Sequence, residues 1–175
     1  DHVCQAAKKA IDQGFTRYTA VPGIPELREA VAEYFQTFYA VKAEKEAVIV
    51  SNGGKQCLFN LFQALLDPGD EVLLPAPYWV SYPDMIQLAE GQPVIVPASP
   101  ENNFQLSTND LDAKLTAKSR VLVLNTPSNP TGCHYSQDNL DKIAKWALDR
   151  GLFIISDEIY DQLVYPPAGP ATLST

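Results

Sequence analysis

The feature that most constrains the fold is an alternation of two periodicities. Short apolar runs rich in β-branched residues, at Ala47–Val50, Glu71–Leu74, Pro93–Pro97, Arg120–Asn125 and Leu152–Ser156, are separated by segments with helical spacing. From Pro25 to about Val41, Leu27, Val31, Tyr34, Phe35 and Phe38 recur at three- and four-residue steps behind a proline suited to a first helical turn. Leu58, Leu61, Phe62 and Leu65 mark a second helix, stopped by Asp67-Pro68-Gly69-Asp70. Further helices are predicted over Ser81–Ala89, near Leu111–Leu115 behind the S-x-x-D cap of Ser107 and Asp110, and from Ser136, with Leu140, Ile143, Ala144 and Ala147 inward and Gly151 at the end. Pro166 to Pro170 reads as a loop. Near-continuous apolar strands joined through helices cannot form hairpins, and they expose no wet face. The pattern therefore predicts an α/β fold, a mostly parallel sheet sandwiched between helices.

Composition narrows the class. The 175 residues approach the size of one ordinary domain, enough for a core without disulfide or metal staples. With 46% hydrophobic and 19% charged residues, and no apolar run long enough to span a bilayer, the chain reads as soluble and globular. A net charge of −8 argues against nucleic acid or an anionic membrane as a partner, so any bound anion must be held locally. Cys4, Cys57 and Cys133 are odd in number and far apart, and His2 and His134 are the only imidazoles, so no metal site and no disulfide framework is expected. A reducing cytoplasm suits that usage. Asp1-His2-Val3-Cys4 carries no initiator methionine and no signal-peptide pattern, and the chain reads as a piece of something larger.

In parallel α/β sheets, ligands sit at the carboxyl ends of the strands, so those loops are the ones to read for chemistry. Ser51-Asn52-Gly53-Gly54-Lys55-Gln56 is a Gly-rich turn feeding a helix N-terminus, where free N–H groups and the helix dipole favour an anion. It is neither a Walker A loop nor GxGxxG, and a tight turn that binds nothing would read the same. Trp79, behind Pro75-Ala76-Pro77-Tyr78, either offers a rigid π-face to a planar ligand or packs under its loop. In Asn125-Thr126-Pro127-Ser128-Asn129-Pro130-Thr131-Gly132 the prolines and glycine fix a loop bearing Asn129, whose amide can donate and accept. Asp157 closes an apolar strand, where a carboxylate is costly unless paired; a helix cap or an ion pair would also explain it. Glu158 reads as structural, and Tyr160 can present its phenol in the same mouth.

In this order, SNGGKQ, PAPYWVSYP, NTPSNPTG and SDEIYDQLVY resemble the large domain of fold-type I pyridoxal-phosphate aminotransferases, most closely the class I aspartate/prephenate enzymes. The likeness extends upstream to Arg17-Tyr18-Thr19 and Gly23-Ile24-Pro25-Glu26-Leu27-Arg28. It implies the three-layer α/β/α large domain of the aspartate aminotransferase fold, pyridoxal 5'-phosphate as cofactor, amino acids and 2-oxo acids as substrates, and a homodimer. Gly53, Gly54 and Lys55 match the phosphate cup, Trp79 the aromatic residue over the pyridine ring, and Asn129 and Tyr160 the partners of the 3-hydroxyl oxygen. Asp157 matches the aspartate that pairs with the ring nitrogen, and Tyr18 a tyrosine that reaches the phosphate of the neighbouring subunit. A carboxylate about 4 Å from that nitrogen is worth on the order of 4 kcal/mol at a surface-like dielectric, enough to keep the ring protonated.

The Schiff-base lysine of the family falls in an S-x-S-K segment after the aspartate, whereas this sequence has no lysine after Lys145. Residues 1–175 are thus expected to form an incomplete large domain, without the N-terminal arm, the lysine segment or the C-terminal small domain, and to be inactive alone. The implied reaction moves an amino group from an acidic amino acid, aspartate or glutamate, to a 2-oxo acid. A lyase or synthase of the same fold, or a non-catalytic binding module, are the alternatives; a nicotinamide-binding domain lacks its glycine fingerprint.

Overall fold

The computed structural model describes residues 1–165 and 172–173. The loop expected at Pro166–Pro170 lies outside them. In chain order the elements are α1 (His2–Asp12), α2 (Pro25–Tyr39), α3 (Gly54–Leu65), β1 (Glu71–Ala76), α4 (Ser81–Leu88), β2 (Gln92–Pro97), α5 (Thr108–Asp112), β3 (Ser119–Asn125), α6 (Gln137–Leu148) and β4 (Phe153–Asp157). Among the described residues the four strands form one parallel sheet in the order β2-β1-β3-β4.

Alternation along the strands divides the core in two. Val72, Leu74, Val121, Val123 and Ile155 pack on one face with Leu58 and Phe62 of α3 and Tyr82, Met85 and Ile86 of α4. Leu73, Leu122 and Leu124 face the other way, onto Leu111 of α5 and Leu140, Ile143, Trp146 and Ala147 of α6. Because successive side chains point to opposite faces, a stretch buried on both sides must be apolar at consecutive positions, as Val72–Leu74 of β1 and Val121–Leu124 of β3 are. The result is the predicted helix–sheet–helix sandwich.

Local chemistry explains the helix starts. Ser107 accepts from the Asp110 N–H while the Asp110 carboxylate accepts from the Ser107 N–H at 2.8 Å, a complete capping box. Ser136 accepts from the Asn139 N–H at the head of α6. The helix predicted near Leu111–Leu115 begins earlier, at Thr108, because the cap sets its start and it lasts only one turn.

One expectation fails. Ala47–Val50 is not a strand of this sheet: a 3₁₀ turn covers Lys45–Ala47, and the extended residues after it pair with none of the four strands. Its backbone bonds elsewhere, with the Val50 N–H donating to the Pro22 carbonyl at 2.9 Å. The close approach has a steric condition, since a Cβ at Gly23, where φ is +102°, would lie 2.9 Å from Val50. Helix α1 is an element with no counterpart among the predicted ones; it buries no residue, so its apolar positions satisfy no core that would mark it.

Candidate functional site

The carboxyl ends of β1, β3 and β4 open onto one cleft lined by Gly54, Lys55, Leu58, Trp79, Tyr82, Asn125, Asn129, Asp157, Ile159 and Tyr160. Six of the eight residues singled out from sequence, Gly54, Lys55, Trp79, Asn129, Asp157 and Tyr160, therefore share one site. Gly53 stands just behind it, as the residue before the first turn of α3. Tyr18 is fully exposed on the connection between α1 and α2 and is not brought to the cleft.

Each wall has a local cause. Gly53 has φ +84° and ψ 163°, a backbone region open essentially only to glycine, and this turns the chain into α3. Its own N–H is spent on the Ser51 carbonyl at 2.8 Å, so the amides that remain at the helix start are those of Gly54 and Lys55, for which no acceptor appears among the described residues. The Lys55 ammonium lies 5.0 Å from the centre of the Trp79 ring, a cation–π approach that also keeps the charge beside those amides. Trp79 in turn meets Tyr82 edge-on, with 5.4 Å between ring centroids.

Asp157 is the best-tied residue in the cleft. The Tyr82 hydroxyl donates to its Oδ2 at 2.6 Å, and the Ile159 N–H donates to its Oδ1 at 3.3 Å. Tyr82 is buried, and burial first, then the bond to Asp157, holds its phenol far above the usual tyrosine range, so it donates and does not titrate near neutrality. The backbone of Asp157 is fixed as well. Its carbonyl accepts from the Asn125 side-chain amide at 2.9 Å and from the Thr126 N–H at 3.1 Å.

Asn125 bridges two parts of the site. Strand register sets it opposite Asp157, and while its Nδ2 donates there its Oδ1 accepts from the Asn129 N–H at 2.7 Å. The loop beyond closes on itself, with the Ser128 N–H on the Cys133 carbonyl and the Gly132 N–H on the Ser128 carbonyl, both at 2.8 Å. Buried Thr126 accepts from the Tyr135 N–H at 3.1 Å. Asn129 is thus presented on a rigid loop, as a binding amide requires. Glu158 turns away from the cleft and accepts from Ser156 and Thr172, the structural role expected of it.

Tyr82 and Asn125 were not singled out from sequence. Neither carries a local mark of its role: Tyr82 reaches Asp157 across 75 positions, and Asn125 meets Asp157 only through the pairing of β3 with β4. Among the described residues no group of three or more His, Cys, Asp or Glu could hold a metal ion, and no helix is long and apolar enough to cross a membrane.

Two helix-start amides unpartnered among the described residues, with an ammonium beside them, a flat aromatic face and a tethered carboxylate share one cleft, and comparison with known proteins identifies the family. The profile described as "Aminotransferase class I and II" matches residues 1–174. The chain belongs to the class I and II aminotransferases. It is 48% identical over 176 residues to a probable aspartate/prephenate aminotransferase of Thermus aquaticus, covering 99% of this chain and 46% of that relative. An asparagine–oxo-acid transaminase of Streptococcus mutans is 42% identical, with 99% of this chain and 44% of the relative covered. Among solved structures, the aspartate aminotransferase of Thermus thermophilus with maleate superposes with a TM-score of 0.95 at 44% identity, covering 98% of this chain and 45% of that one. This aminotransferase chain spans a little under half the length of the curated relatives it matches, and its sandwich is that of the aspartate aminotransferase large domain.

Proposed function

We propose that this chain is the cofactor-binding part of a pyridoxal-phosphate-dependent transaminase that moves an amino group from an acidic amino acid, aspartate or glutamate, to a 2-oxo acid. The observation that carries the reading is the Asp157 carboxylate, fixed at both oxygens at the mouth of β4 and sharing a cleft with the Trp79 ring and the free amides of Gly54 and Lys55. The donor set fits the cofactor: a dianion suits two amides beside an ammonium, and a protonated ring nitrogen suits a carboxylate that is already oriented.

Bound pyridoxal phosphate supplies the electron sink for the charge left on a substrate carbon when its C–H bond breaks. The chain's own residues bind and orient. Gly54, Lys55 and the turn at Gly53 hold the phosphate, Trp79 covers one ring face, Asp157 keeps a proton on the ring nitrogen, and Asn129 and Tyr160 hold the 3-hydroxyl oxygen. Tyr82 and Asn125 position Asp157 and the Asn129 loop from behind. Tyr18, free of any contact with the cleft, suits a role across a homodimer interface, toward the partner's phosphate. The acidic substrate is supported by relatives named for aspartate. Among the described residues Lys55 is the one lysine lining the cleft, and it is assigned here to the phosphate, so residues 1–175 alone are proposed not to transaminate.

The test has two parts. The protein as its gene encodes it should bind pyridoxal phosphate with quenching of tryptophan fluorescence, and Asp157→Ala should weaken that binding at least tenfold. The wild-type protein should also convert aspartate and 2-oxoglutarate to oxaloacetate and glutamate. Unimpaired binding by Asp157→Ala, or release of ammonia in place of glutamate, refutes the reading.

A further inference from the structure

Tyr160 enters the cleft on a turn with its own fastening. The Asp161 N–H donates to the Glu158 carbonyl at 3.0 Å, and the Leu163 N–H to the Tyr160 carbonyl at 2.8 Å. Ile159 and Tyr160 line the cleft, whereas Asp161 faces the opposite side, toward α2. There its Oδ2 accepts from the Tyr34 hydroxyl at 2.5 Å and from the Tyr39 hydroxyl, and its Oδ1 accepts from the Gln162 N–H at 2.7 Å. The Gln162 side chain closes the group by donating to the Tyr34 oxygen at 2.8 Å. More than 120 residues of sequence separate the carboxylate from either phenol, so none of this is local turn chemistry.

The helix side is built to match. Tyr39 is the single buried residue of α2, and its ring packs near Tyr34 and Phe35 with centroids 6.0 Å and 5.8 Å away. Both phenols are pushed above the usual tyrosine range, Tyr39 far above it, through burial first and the carboxylate next. For Asp161, burial works against ionisation, but the donors from Tyr34, Tyr39 and Gln162 outweigh it and hold the carboxyl below its ordinary value. Near neutral pH the charge states are therefore fixed, two donors against one acceptor. A carboxylate anchored in this way sets the backbone direction of its own residue, and with it the aim of the preceding side chain.

We propose that the Tyr34–Asp161–Tyr39 clasp is a positioning device for the Tyr160 phenol, making α2 part of the framework of the site. The inference rests on the reading of Tyr160 as a partner of the cofactor's 3-hydroxyl oxygen. A displacement of well under 1 Å at that phenol is enough to lengthen its bond, which is why fastening the adjacent residue matters.

The test is a cycle of variants in the protein as its gene encodes it, loaded with pyridoxal phosphate, reading the pH midpoint of the bound chromophore's absorbance change. Tyr160→Phe should shift that midpoint. Asp161→Ala should shift it in the same direction by at least half as much, and should add nothing in the Tyr160→Phe background, because it acts through that residue. An unmoved midpoint in Asp161→Ala, or additive shifts in the double variant, overturns the proposal. Hydrogen exchange gives a second reading that needs no cofactor: amides 159–163 should exchange at least tenfold faster in Asp161→Ala, with β1 and β3 unchanged. Unchanged exchange at 159–163 also overturns it. Because this reading is independent of cofactor binding, a failure of the clasp and a failure of the transaminase reading give different results. Should Asp161→Ala not fold, Tyr34→Phe and Tyr39→Phe each remove one hydrogen bond while keeping the ring, and the same shifts are expected at smaller size. Asp161→Asn, which keeps an acceptor oxygen, should restore most of the exchange protection lost in Asp161→Ala.

Discussion

Replacing Tyr82 with Phe isolates the bond that orients Asp157. The ring of Tyr82 is 1% exposed and packs against Trp79, and Phe preserves both features, so what is removed is one hydroxyl and its 2.6 Å bond to a carboxylate. A hydrogen bond to a charged group is worth about 1.5–3 kcal/mol net. Asp157 is only half-buried, so water can replace part of the lost donor, which places the cost near the lower end, about 1.5–2 kcal/mol. For a chain of this length that is roughly 3–8 °C in thermal midpoint. The pH dependence carries an independent signature. Tyrosines of the unfolded chain ionise near ~10, while Tyr82 stays protonated in the fold. Above that pH the unfolded state releases a proton the native state keeps, so stability falls as pH rises, by up to about 1.4 kcal/mol per pH unit for each such tyrosine. Urea unfolding at neutral pH and near pH 11 measures both effects. Tyr82→Phe should be less stable than wild type at neutral pH and should lose stability less steeply in alkali. A neutral-pH cost below about 0.5 kcal/mol, or an unchanged alkaline slope, would show that the hydroxyl does not hold Asp157.

Gly53→Ala should cost about 1–3 kcal/mol in unfolding experiments and weaken cofactor binding; nothing lies within 4 Å of the added Cβ, so the whole loss is backbone strain. Ser107→Ala breaks the capping box of α5 and should cost about 1 kcal/mol by urea unfolding. The same serine, through side-chain and backbone bonds, holds Asp110 below the ordinary aspartate range, so its stabilisation is present above that range and is lost as pH falls through the depressed value. Ser107→Ala should therefore flatten the acid limb of the stability profile. Lys55→Met should raise the dissociation constant for pyridoxal phosphate roughly tenfold and reduce its salt dependence, since an exposed ammonium acts through a screened charge; an unchanged constant would place the phosphate elsewhere.

What the sequence made legible follows from which forces act locally. Strands β1 and β3 and helices α3 and α6 were readable because burial on both faces imposes an apolar pattern that few other structures share. The Ser107–Asp110 cap was readable because both partners lie within one turn. The run Ala47–Val50 misled for the converse reason: a β-branched segment favours extended backbone, but becoming a strand of a sheet requires a neighbour, and pairing is not encoded in the segment itself. In the cleft the same division holds. The residues proposed to face a ligand stand at strand mouths in recognisable loops, whereas the bonds that hold them leave no local mark: Tyr82 reaches Asp157 across 75 positions, and Tyr34 and Tyr39 reach Asp161 across 127 and 122. Such bonds depend on the sheet order β2-β1-β3-β4, which brings β3 and β4 together and sets Asn125 beside Asp157. A supporting residue is an ordinary tyrosine or asparagine until the topology is known. For that reason the candidate loops can be read from the chain, while the groups that hold them in place require the fold.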